Sequence, residues 1–103
     1  MKYLKTFENN EPKKIVVYYG NGNIYYIKYK LNDKYHRENG PAYQEWYKNG
    51  QKYYESYIIN GKLHREDGPA YQIWYENGQK RVETYYLNSI EYKREDWLNK
   101  LKK

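Results

Sequence analysis

His36-Arg37-Glu38-Asn39-Gly40-Pro41-Ala42-Tyr43-Gln44-Glu45-Trp46-Tyr47-Lys48-Asn49-Gly50-Gln51-Lys52 returns as His64-Arg65-Glu66-Asp67-Gly68-Pro69-Ala70-Tyr71-Gln72-Ile73-Trp74-Tyr75-Glu76-Asn77-Gly78-Gln79-Lys80, at a constant offset of 28 residues. Self-similarity at a fixed period of this size marks a repeat array, in which each unit buries its surface against the next. Under the same shift Tyr19, Asn21, Gly22, Tyr25, Tyr26, Tyr29, Asn32 and Lys34 meet identical residues. A first, degenerate unit therefore precedes the two clear ones, without the His-Arg-Glu and Gly-Pro-Ala entry. The units run over about residues 8–35, 36–63 and 64–91, in a chain of 103 residues that is long enough for one domain.

Within each unit, β-branched and aromatic runs alternate with turn residues, which predicts pairs of strands. Asn49-Gly50 and Asn77-Gly78 predict two-residue type I′ hairpins, with positive φ at both central positions. That geometry sets Trp46 opposite Tyr53, Gln44 opposite Glu55 and Ala42 opposite Tyr57. Asn60-Gly61 and Asn88-Ser89 close the units, and Pro41 and Pro69 open the strands after the joints. Near the end, Trp97, Leu98 and Leu101 share one helical face, with Glu95 and Asp96 in the first turn and Lys100, Lys102 and Lys103 in the last. A helix over about 93–102 is expected to cover the last strand edge. The predicted fold is mainly β, an antiparallel β-hairpin repeat meander of about six strands with a short C-terminal capping helix.

The hairpin register places Ala42, Trp46, Tyr53, Tyr57 and Ile59 on one face and Tyr43, Tyr47, Lys52, Tyr54 and Ile58 on the other. Both faces are aromatic, and a chain this small cannot bury both unless it curls or pairs as a homodimer. The Trp face is expected to be the core. The other face, with Tyr43, Tyr47, Tyr71, Tyr75 and Tyr86, is the expected exposed patch. These tyrosines and the arginines Arg37, Arg65 and Arg81 are the candidate binding residues, because exposed Tyr and Arg clusters anchor partners.

Composition narrows the chemistry. There are 17 Tyr and no Cys, which removes disulfides and thiolates. The net charge of +6 is uneven: residues 1–35 hold seven basic and three acidic residues, 36–91 seven and eight, and 92–103 five and two. The clear repeats thus lack a basic stripe, which favours a protein partner. Single-stranded RNA or DNA, stacked on Tyr and held by the basic ends, is the alternative. His36 and His64, each followed by Arg-Glu, fit hydrogen bonding at the joints better than metal or general-base chemistry. Ser56 and Ser89 have no His nearby in sequence, and the glycines sit in turns. The expectation is a non-enzyme with no catalytic residues, metal or cofactor. No stretch is apolar enough for a signal peptide or a membrane span, so a cytoplasmic location is expected. Bias toward Lys, Asn, Tyr and Ile suggests a low-GC genome of a bacterium, phage or large virus.

Trp46-Tyr47-Lys48-Asn49-Gly50-Gln51-Lys52 and Trp74-Tyr75-Glu76-Asn77-Gly78-Gln79-Lys80 resemble the MORN repeat, in its bacterial and viral form. The joint at residues 60–70 is similar to repeats of phage and giant-virus proteins. The similarity covers about residues 14–91. It implies a non-catalytic chain of β-hairpins used for protein contacts, in some relatives antitoxin-like and in others bound to membrane lipid.

Overall fold

The computed structural model describes residues 11–102. It contains ten strands: β1 (Lys13–Tyr18), β2 (Ile24–Leu31), β3 (Lys34–Tyr35), β4 (Tyr43–Trp46), β5 (Lys52–Ser56), β6 (Ile58–Ile59), β7 (Lys62–Leu63), β8 (Tyr71–Trp74), β9 (Lys80–Leu87) and β10 (Ile90–Tyr92). One helix, α1 (Arg94–Leu101), follows. The main sheet runs β1-β2-β4-β5-β8-β9-β10, every pair is antiparallel, β3 lies beside β2, and β6 and β7 pair separately. The expected hairpin meander with a C-terminal helix is therefore the fold. Four short strands at the joints account for the count above six.

Two kinds of turn alternate, and the Asn-Gly pairs divide between them. At the hairpin tips only the glycine takes a positive φ, 93° at Gly50. Gly50 N–H donates to Tyr47 C=O and Tyr47 N–H donates to Gln51 C=O, so the loop holds three residues. Asn49 Oδ1 accepts the Gln51 N–H at 2.9 Å. This is a type I turn closed by a glycine bulge, in place of the expected type I′ turn. The same bonds recur at Tyr19–Asn23 and Tyr75–Gln79. Type I′ geometry appears instead at the joints, where both central residues have positive φ: Asn32 and Asp33, Asn60 and Gly61, Asn88 and Ser89.

The bulge corrects the register near the tip. Gln44 stands opposite Glu55 as expected, but Trp46 pairs with Lys52 rather than Tyr53, and Trp74 with Lys80. One inserted residue moves the following side chain to the opposite face. Lys52 accordingly joins the Trp face, and Tyr53 packs on Tyr47 with ring centroids 5.0 Å apart.

Among the described residues, a second layer is absent, and the molecule measures 16 Å along its shortest axis. The buried hydrophobic residues among those described are Ala42, Ala70 and Trp97. Trp46 and Trp74, expected as core, are half-buried. Helix α1 closes the array through Trp97, which is 4% exposed. Its ring lies 4.7 Å from that of Tyr85 and its Nε1 donates to Arg65 C=O at 3.0 Å. The edge of β9 at Tyr85–Leu87 is paired by β10, not by the helix. The helix covers a ring where a strand edge was expected.

Removing that ring should therefore be costly. Trp97→Ala is expected to lose about 3–5 kcal/mol, a large share of the stability of a small domain. Trp97→Phe, which keeps an aromatic ring but not the indole N–H, should lose less than half as much. Urea unfolding checks both, and an unchanged midpoint for Trp97→Ala would make α1 a free tail.

Candidate functional site

In a one-layer sheet each face is a surface. On one face, Tyr26, Tyr43, Tyr54 and Tyr71 form a zigzag across four strands, with successive ring centroids at 5.9, 5.5 and 5.2 Å. The register builds it. Lys28, Tyr43, Ser56 and Tyr71 lie in one cross-strand row, and Tyr26, Glu45, Tyr54 and Ile73 in the next. Each Tyr thus meets its neighbours diagonally, within reach of an aromatic ring. Tyr35 stands edge-on to Tyr43 at 5.9 Å. With Tyr54, Ser56 and Ile58 they line a cleft of about 240 Å³. Lys28 and Lys30 place their ammonium groups 5.4 and 5.3 Å from the centres of Tyr26 and Tyr35.

The rings are half-buried. Burial, with a 2.8 Å hydrogen bond donated to Glu45 Oε1, holds Tyr43 well above the ordinary 10.0. Burial likewise raises Tyr54, and burial with the nearby Glu91 raises Tyr86. These tyrosines are neutral donors throughout the physiological range.

The opposite face is polar at its centre. The buried Glu55 carboxylate accepts from Gln44 Nε2 and Gln72 Nε2, both at 3.2 Å, and from Lys52 Nζ at 3.0 Å. Lys80 Nζ donates to Gln72 Oε1 at 2.8 Å and to Glu83. A buried carboxylate satisfied in this way is tolerated. Lys52 and Lys80 also stand over the Trp74 ring, at 5.6 and 5.1 Å.

At the joints the arginines act as clamps. The Arg65 guanidinium lies 3.8 Å from the centre of the Tyr57 ring, and it donates to Pro69 C=O and Asp67. Arg37 repeats this over Tyr29 at 4.1 Å, with Pro41 C=O as acceptor. Gly68 leaves room for this stacking, since a Cβ there would stand 2.9 Å from Arg65 Cζ and the guanidinium would have to shift. Beside them, His36 Nδ1 accepts the Asn60 N–H and His64 Nδ1 the Asn88 N–H, while Nε2 faces Glu38 and Glu66. Both histidines thus hydrogen-bond the turn that closes their unit. Between the two joints lies a cleft of about 670 Å³.

The eight expected binding residues therefore separate into four places. Tyr43, Tyr71 and Tyr86 share the ladder face. Tyr47 lies apart, its hydroxyl donating to Trp74 C=O in the next unit at 2.8 Å. Arg37 and Arg65 belong to the joints. Tyr75 and Arg81 stand together at the last hairpin, 5.8 Å apart, with Tyr75 50% exposed. Tyr26, Tyr35 and Tyr54 complete the ladder and were outside the expected set. The recurrence of Tyr26 as Tyr54 and of Tyr43 as Tyr71 was the available signal.

No family model, curated protein or solved structure matches this chain.

The raised phenols set an alkaline limit. A phenol whose proton is held more tightly in the folded chain stabilises it fully below pH 10 and loses that contribution as pH rises through the raised value. Tyr43→Phe should cost about 1 kcal/mol at neutral pH through the bond to Glu45. That gap should close above pH 10, because the wild type alone is then pulled toward unfolding by Tyr43 ionisation. Urea titrations at neutral and alkaline pH check it, and a gap that stays constant would contradict the assignment.

Proposed function

We propose that the chain is a non-enzymatic binding protein, built of MORN-like hairpin repeats, whose partner is another protein. The observation that supports this is the unbroken Tyr26-Tyr43-Tyr54-Tyr71 ladder on a sheet face that no other described element covers. Its rings are fixed by stacking on one another, so little side-chain freedom is lost when a partner docks. Aromatic area with phenol donors between the rings is the surface composition of protein interfaces. A small phage-type inhibitor of a host system, or an antitoxin-like module, has this character: it needs one rigid face and no chemistry of its own. A cytoplasmic setting is part of the same proposal.

One observation favours a second reading. Lys28 and Lys30 lie against the rings at the first end of the ladder. Single-stranded nucleic acid is bound by aromatic stacking combined with cations along the backbone path. The rest of the ladder carries Glu45 rather than further cations, which weighs against it.

Capture on immobilised chain from a low-GC host lysate, followed by mass spectrometry, tests the lead. Tyr26→Ser with Tyr71→Ser, confirmed folded by circular dichroism, is expected to lose the captured protein. Anisotropy of a labelled oligonucleotide runs in parallel. Oligonucleotide binding that weakens steeply with salt, and is lost in the same double variant, would replace the lead by the nucleic-acid reading.

A further inference from the structure

The array contains the same interface twice, between β2 and β4 and again between β5 and β8. In each, the pairing is offset by the repeat: Tyr26, Ile27 and Lys28 meet Glu45, Gln44 and Tyr43, as Tyr54, Glu55 and Ser56 meet Ile73, Gln72 and Tyr71. A tyrosine hydroxyl locks each one, Tyr19 to Trp46 C=O at 2.6 Å and Tyr47 to Trp74 C=O at 2.8 Å. A backbone bond does so too, from Tyr29 N–H to Ala42 C=O and from Tyr57 N–H to Ala70 C=O.

Both halves of this interface also stand unused at the ends. Shifted by 28 and 56, β1 falls on β4 and β8, and β9 is the equivalent of β2 and β5. Among the described residues, no strand pairs the outer side of β9 before Tyr85 or the outer side of β1. Bonding alternates along an antiparallel pair. The Tyr29 N–H bond makes the odd-numbered residues of β2 face β4, so Arg81 and Glu83 point their backbone groups outward. On β1 the outward groups are those of Lys14, Val16 and Tyr18, because Lys13, Ile15 and Val17 face β2. The next hydroxyl in the series, on Tyr75, meets no following unit and is half-exposed.

We propose that β9 of one molecule accepts β1 of a second copy, head to tail, as a continuation of the repeat. The register follows from the offset: Val82, Glu83 and Thr84 meet Val17, Val16 and Ile15 of the second copy, and the Tyr75 hydroxyl donates to Tyr18 C=O of that copy. The outer side of β9 from Tyr85 onward is taken by β10, so Lys13 and Lys14 lie beyond the three central pairs, which bring no like charges together. Trp97 covers the ring of Tyr85 on the sheet face and leaves Arg81 and Glu83 uncovered at the edge. A contact between two different surfaces leaves a free half on each end, so it yields an open chain or a ring of molecules rather than a two-fold dimer. It uses the sheet edge, and so is independent of any partner on the Tyr ladder.

Sedimentation velocity of the full chain from micromolar to millimolar concentration tests this. The average mass should rise with concentration without stopping at a dimer. Glu83→Pro removes an outward N–H of β9 and Val16→Pro one of β1, and proline is tolerated at an edge position. Each variant alone should be monomeric, and an equimolar mixture should form a heterodimer and nothing larger. Tyr75→Phe keeps the fold and should weaken association about 5-fold, which provides a readout should either proline variant unfold. A wild type that stays monomeric at millimolar concentration, a mass that stops at a dimer, or Tyr75→Phe associating as tightly as the wild type would overturn the proposal.

Discussion

The stacked arginine at each joint is the interaction on which the rest of the structure depends. A one-layer sheet has no interior to fill, and among the described residues the buried hydrophobic ones are two alanines and one tryptophan. Neighbouring units must then hold one another by directional contacts. Arg65 does this through its flat face on Tyr57 and its N–H groups on Pro69 C=O and Asp67. Its own backbone N–H donates to Tyr86 C=O, and its C=O receives Trp97 Nε1. One residue thereby ties the strands of two units and the capping helix. The guanidinium suits this role because it is planar, permanently charged and able to donate along several directions while stacked.

The rest of the joint follows from accommodating that group. Gly68 gives up its side chain where the guanidinium passes. Pro69 supplies a carbonyl at a strand start, where its missing N–H costs no ladder bond. His64 receives the Asn88 N–H from the type I′ turn of its unit, and Ser89 N–H reaches back to Leu63 C=O. The conserved spacing of His-Arg-Glu-Asx-Gly-Pro-Ala between units is thus a set of mutual fits, which is why it repeats as a block. At the last unit, Lys93 stands in the arginine position and Trp97 takes over the ring of Tyr85, so the helix ends the series with the same kind of contact.

Much of the fold was legible because the 28-residue offset and the Asn-Gly pairs act locally. The C-terminal helix was legible from the spacing of Trp97, Leu98 and Leu101. The hairpin register was not, because Asn-Gly serves two turn types that differ by one residue. At Asn60-Gly61 both residues take positive φ, whereas at Asn49-Gly50 only the glycine does. The choice is made by the flanking bonds of Tyr47 and Gln51, which sequence does not display. That single residue sends Lys52 to the face of Glu55 and brings Tyr53 against Tyr47. The Tyr ladder was largely legible: Tyr43, Tyr54 and Tyr71 share a face through the hairpin register and the period, but Tyr26 joins them only through the β2–β4 pairing across units. Arg37 and Arg65, chosen as surface anchors, hold the joints.

Arg65→Lys measures the central claim most directly, since it keeps the charge while removing the planar fork and the stacked face. If the joints carry the stability of the array, the variant should lose about 1–2 kcal/mol. For a domain of this size that lowers the melting temperature by about 4–8 °C per kcal/mol. A variant that melts with the wild type would show that the arginine is a surface charge, and that the sheet is held together by something other than its joints.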